Sequence, residues 1–74
     1  MKDIDLQLVK RLRQRRRFLG PSQQEIGAAC GLRFQQIQKY ESAANRLSAA
    51  MILRLAQVLG VEVPYFYAGL QIDD

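Results

Sequence analysis

The sequence predicts an all-α protein, a compact domain of five short helices that contains a helix-turn-helix. Three observations carry that prediction: apolar residues recur at spacings of three and four, no stretch alternates as a strand would, and glycine, proline and serine fall where short helices would start and stop. The 74 residues suffice for one domain around one modest core, expected over about residues 5–70 with short flexible ends.

The first helix is expected from about Asp5 to Leu19, with Leu8, Val9, Leu12 and Leu19 near helical spacing. Asp3 and Asp5 lie at its start and a basic run, Lys10 to Arg17, fills its end, an order that suits the helix dipole. Gly20 and Pro21 stop it. Ser22-Gln23-Gln24-Glu25 then has the Ser-x-x-Glu spacing of a capping box, which opens a second helix ending near Cys30, with Gly31 as its stop. A third helix, between Arg33 and Ser42 with its regular part over Phe34 to Glu41, follows so closely that the two must cross steeply. Ile37, Tyr40 and Glu41 form its inward face, leaving Gln35, Gln36 and Lys39 on an amide-rich outer face. Ser48 is the expected cap of a fourth helix, whose Ile52, Leu55, Ala56 and Leu59 make one apolar stripe before Gly60. Pro64 suits the first turn of a short fifth helix, with Tyr65, Phe66 and Leu70 to bury.

Charge and composition then narrow the function. Eleven Lys and Arg against 7 Asp and Glu give a net charge of +4, which points to an anionic partner. No run approaches the roughly 18 apolar residues of a membrane span, and Met1 to Gln7 mixes charges where a signal peptide needs an apolar run, so a cytoplasmic protein is expected. The lone Cys30 has no partner for an intrachain disulfide and no clustered ligands for zinc. Without histidine the usual catalytic base is missing, and the few carboxylates are mostly terminal or committed to capping and pairing. The expectation is therefore a non-enzyme with no cofactor, no metal and no small-molecule substrate.

Several blocks in order resemble one known family: Leu12-Arg13-x-x-Arg16, Ser22-Gln23-x-Glu25-Ile26, Gly31-Leu32, Phe34-Gln35-Gln36-Ile37-Gln38-Lys39-Tyr40-Glu41 and Leu55-Ala56-x-x-Leu59-Gly60-Val61. Together they are similar to the phage repressor and Cro-like (XRE) helix-turn-helix regulators, and the likeness covers most of the chain. It implies a five-helix, lambda-repressor-like fold and sequence-specific binding of double-stranded DNA as a dimer, with the helix at 34–41 in the major groove. A transcriptional repressor is the leading expectation. The alternative is a protein-interaction module, such as an antitoxin or an accessory subunit, built on the same fold.

Amides bond adenine at N6 and N7, and Arg or Lys reach O6 and N7 of guanine, so Arg33, Gln35, Gln36 and Lys39 are candidate base readers. Phe34 stands where the family often carries a polar reader; it either presses on a thymine methyl or caps the core. By resemblance, Gln23 at the start of the second helix and Asn45 and Arg46 in the loop after the third contact phosphate, with Arg13 or Arg17 adding a further contact. The plain alternative for the basic run is a solvated helix face.

The resemblance also pairs Arg16 with Glu41 in a structural ion pair and puts Val63 and Tyr65, with Leu47 nearby, at a dimer surface; Met51 and Leu53 are further candidates there. Tyr65 is alternatively half-buried core. Three departures from the family pattern bear on detail. Gly27 replaces an alanine, costing about 1 kcal/mol of helix propensity while permitting close approach of the third helix. Ala43 stands where glycine often ends the reading helix, leaving the left-handed cap absent or strained. Pro21 replaces an aliphatic residue, and Phe18 is expected to supply the missing core volume.

Overall fold

The computed structural model describes residues 3–70; the expected flexible ends, 1–2 and 71–74, lie outside them. The helices are α1 (Asp3–Leu19), α2 (Gln23–Cys30), α3 (Phe34–Glu41), α4 (Ala49–Leu59) and α5 (Pro64–Tyr67), with no strand among the described residues. Local chemistry sets most of these boundaries. Ser22 Oγ accepts from the Glu25 N–H at 3.1 Å while Glu25 Oε1 accepts from the Ser22 N–H at 3.0 Å, closing the capping box of α2. Those bonds from Ser22, the backbone one foremost, hold the Glu25 carboxyl below its ordinary 4.5. Ser48 Oγ accepts from the Met51 N–H at 3.0 Å and opens α4. Gly31 and Gly60 take left-handed conformations, φ 71° and 69°, at the ends of α2 and α4.

The core draws on every helix. Leu8, Val9 and Leu12 of α1 meet Ile26 and Cys30 of α2, Ile37 and Tyr40 of α3, the α4 stripe Ile52, Leu55, Ala56 and Leu59, and Phe66 of α5. Burying an aliphatic or aromatic side chain of this size contributes roughly 1.5 to 3 kcal/mol, so this cluster is the main source of stability. Burial also raises the Cys30 thiol above its ordinary pKa, with the nearby Arg54 charge pulling the other way.

Two core expectations need correcting. Phe18 is 78% exposed and Leu19 45% exposed, so neither joins the core. Phe18 lies instead under the Arg15 guanidinium, 5.3 Å from the ring centroid. Leu47, expected near a partner surface, is 8% exposed and packs in the core.

The α2–α3 turn is tight because residue 27 is glycine. A Cβ there would lie 2.9 Å from the Leu32 carbonyl oxygen and 3.3 Å from Phe34 N, distances at which backbone has to move. The Leu32 N–H donates to the Gly27 carbonyl at 2.7 Å, locking the turn. At the far end of α3 the left-handed cap is present, carried by Ala43 at φ 65°. Ala43 N–H donates to Tyr40 O at 3.0 Å and Ala44 N–H to Lys39 O at 2.9 Å, the paired bonds of a Schellman motif.

Candidate nucleic-acid interface

Three arginines are drawn out of the basic population by helix ends. Arg54 Nη1 donates to Cys30 O at 3.2 Å, Arg15 Nε to Leu59 O at 3.1 Å and Arg11 Nη1 to Tyr65 O at 3.0 Å. The first two satisfy terminal carbonyls of α2 and α4, the negative ends of those dipoles. Arg11 and Arg15 thus stitch α1 to α5 and α4, while Arg13 and Arg17, two positions along, remain exposed.

Arg16 has a different task. Its Nε donates to Glu41 Oε2 at 2.6 Å and its Nη2 to Glu41 Oε1 at 2.9 Å, while Nη1 reaches Pro21 O at 3.2 Å. The two side chains are only 13% and 4% exposed. The hydrogen bond to Glu41 and its charge push the Arg16 guanidinium further above its already high pKa, against the opposing pull of burial. Glu41 Oε1 also accepts from Gln23 Nε2 at 3.1 Å. One carboxylate at the end of α3 therefore ties down α1 and fixes the amide of Gln23 at the start of α2, leaving the second amide N–H of Gln23 for an outside acceptor.

Beside this junction lies an open polar cleft of about 170 Å³, lined by Arg13, Arg16, Arg17, Gln23, Gln38, Glu41 and Ser42. Two exposed guanidiniums and an oriented amide at its rim suit a phosphate oxygen. Gln38 and Ser42 are members that sequence reasoning passed over; both are exposed. Their spacing from Phe34, four and eight residues on, is a signal of one shared stripe; that α1 would pack alongside it is not written locally.

On α3, Ile37, Tyr40 and Glu41 are buried, whereas Arg33, Phe34, Gln35 and Lys39 are exposed and Gln36 is half-buried. Arg33 is the N-cap residue of α3, but its side chain makes no capping bond and stays free at the mouth of the helix. Past the Ala43 cap, Asn45 and Arg46 are both exposed. Arg46 Nε lies 3.4 Å from Asp5 Oδ2, an open ion pair with 66% and 23% of the two side chains exposed. Of the expected partner-surface residues, Val63 and Tyr65 are half-buried, Tyr65 packing edge-on against Phe66 at 5.5 Å.

A short turn that fixes two helices, the second with a buried rear and a polar front, is the arrangement that a helix-turn-helix family model matches over residues 12–66. The chain belongs to the Cro/C1-type helix-turn-helix family. It is 44% identical over 64 residues to an uncharacterized HTH-type transcriptional regulator of Sinorhizobium medicae, a match covering 86% of this chain and 46% of that protein. With an uncharacterized transcriptional regulator in the ATPase CF(0) region of Rhodospirillum rubrum it shares 39% identity over 71 residues, 96% of this chain and 66% of the relative. A Rickettsia conorii HTH-type regulator, also uncharacterized, matches at 34% over 68 residues, 92% and 54% of the two chains. The chain spans about half the length of most of these curated relatives. No solved structure matches. The matched region includes both α2 and α3, the two helices of the helix-turn-helix. Among the described residues no helix is long and apolar enough to cross a membrane, and no group of three or more Asp, Glu or Cys is placed to hold a metal ion.

Proposed function

We propose that this chain binds double-stranded DNA sequence-specifically, as a cytoplasmic, dimeric transcriptional repressor. The observation that carries the reading is the two-sided character of α3, buried through Ile37, Tyr40 and Glu41 and open through Arg33, Phe34, Gln35 and Lys39. An α-helix fits the major groove, and the first turn of a recognition helix is the part that reaches base edges. Arg33 and Gln35 are the principal readers, with Phe34, Gln36 and Lys39 beside them. Gln23, Arg13 and Arg17 hold one backbone through the polar cleft, and Asn45 and Arg46 hold the other edge of the groove. Replacing Arg33 or Gln35 by Ala costs about 1 to 3 kcal/mol in binding and relaxes preference at one base position.

Dimerisation follows from area. A single module of this type buries about 600 to 1,000 Å² on DNA, less than high specific affinity needs, and two modules reading half-sites roughly 34 to 36 Å apart supply it. A groove of about 380 Å³ of mixed polar and apolar lining, formed by Leu53, Ala56, Gln57 and Gly60 at the end of α4 with Val61, Glu62 and Val63 of the loop that follows, supports an interface on that side; Val63 lines it, and half-buried Tyr65 lies two residues on. Repression is the sign we assign, since an operator-bound dimer excludes other proteins from the site it covers. Selection of bound sequences from a random duplex pool at about physiological salt tests the reading. A palindromic motif supports it; no enrichment over the starting pool overturns it and favours a protein-interaction module.

A further inference from the structure

Phe34 is a large aromatic side chain left substantially open to solvent on the recognition helix. It is 42% exposed, against the buried Ile37 and Tyr40 of the same helix, so a large part of the ring faces outward. Phe34 is thus not one of the buried core residues, and its exposed part is open to a partner. It opens the first turn of α3, and the tight turn at Gly27 pins its backbone, since even a methyl group at residue 27 would approach Phe34 N to 3.3 Å. The flanking side chains, Arg33 and Gln35, carry the hydrogen-bonding groups; Phe34 carries none.

We propose that Phe34 makes this protein a reader of the pyrimidine 5-methyl group in the major groove. The inference rests on the DNA-binding reading above and specifies the chemistry of one operator position. Along the major-groove edge every base presents donors or acceptors, and the thymine C5-methyl is the one apolar feature among them. A ring held at the mouth of the recognition helix gains from a methyl group, and gains nothing from the oxygen or amine that distinguishes thymine from cytosine. The determinant is therefore the methyl itself, and thymine and 5-methylcytosine are its two sources. Operator binding at this position then responds to cytosine C5 methylation.

The test begins with the selected operator and replaces each thymine in turn by deoxyuridine, which deletes the methyl and keeps the hydrogen-bonding edge. Fluorescence anisotropy with the wild-type chain should show one position per half-site at which the loss weakens binding by about three- to tenfold. At that position a cytosine substitution should weaken binding, and 5-methylcytosine opposite guanine should restore at least the methyl share, which separates the two methyl sources. In Phe34→Ala, whose exposed position leaves folding intact by thermal melt, the thymine-to-uridine penalty should disappear; Phe34→Leu should keep part of it. Sequence-specific binding indifferent to every uridine replacement would overturn the proposal and leave the DNA-binding reading standing. So would a penalty that persists undiminished in Phe34→Ala, which would assign the methyl contact to another side chain. A chain that selects no duplex at all overturns both.

Discussion

At the scale of single residues, the strongest constraint is the carboxylate of Glu41. Buried and bonded to Arg16 twice and to Gln23 once, it is expensive to strip of its partner. Arg16→Ala should lower unfolding free energy by about 3 to 5 kcal/mol, read from urea denaturation, because an uncompensated charge is left behind. A loss below about 1 kcal/mol would mean that the pair behaves as an exposed one. Ala43 shows the opposite opportunity. An L-residue at φ 65° carries roughly 1 to 2 kcal/mol of strain, and glycine does not. After glycine's greater loss of chain entropy, Ala43→Gly should stabilise by about 0.5 to 1 kcal/mol with the Schellman bonds intact, again measured by denaturation. Both points were raised by the family resemblance, since 25 positions separate Arg16 from Glu41, and the conformation of Ala43 comes from the bonds of Ala43 and Ala44 back to α3.

At the scale of elements, two local devices make separate predictions. Gly27→Ala would raise helix propensity by about 1 kcal/mol, yet its methyl meets backbone at 2.9 Å. The crossing of α2 and α3 has to open, so the variant should melt lower than wild type and bind its operator more weakly; a higher melting temperature would show that the turn yields freely. The capping box of α2 gives a pH signature. Because Glu25 is held below its ordinary 4.5, the box stabilises the fold fully above that value and loses its contribution as pH falls through the lower folded value. Melting temperature followed down through the acid range should fall less steeply in Glu25→Gln than in wild type, from a lower starting point. The boundaries of these helices were legible because capping and periodicity act within about four residues. The fates of the arginines were not: Lys10 to Arg17 reads as one basic face, yet Arg11 and Arg15 hold carbonyls 54 and 44 residues away while Arg13 and Arg17 stay open.

At the scale of the whole molecule, charge placement separates residues that hold DNA from those that read it. Arg46→Ala should weaken all duplexes alike and lower the slope of log affinity against log salt by about one, measured by anisotropy across a salt series. A change of base preference with an unchanged slope would reverse its role. Asp5 competes for the same guanidinium at 3.4 Å. Asp5→Asn should accordingly tighten binding to every sequence, most visibly at low salt where exposed charges are least screened.

Fold class, helix order and the caps at Ser22, Ser48, Gly31 and Gly60 were written in the chain, as was the polar front of α3, because each depends on residues within a turn or two of one another. Three-dimensional packing settled the rest. It left Phe18 and Phe34 outside the core and took Leu47 into it, although composition treats all three as core material. It also sorted eight chemically equal arginines into helix caps, an ion pair and an open surface. Burial and long-range pairing depend on which elements end side by side, and no window of local sequence carries that information.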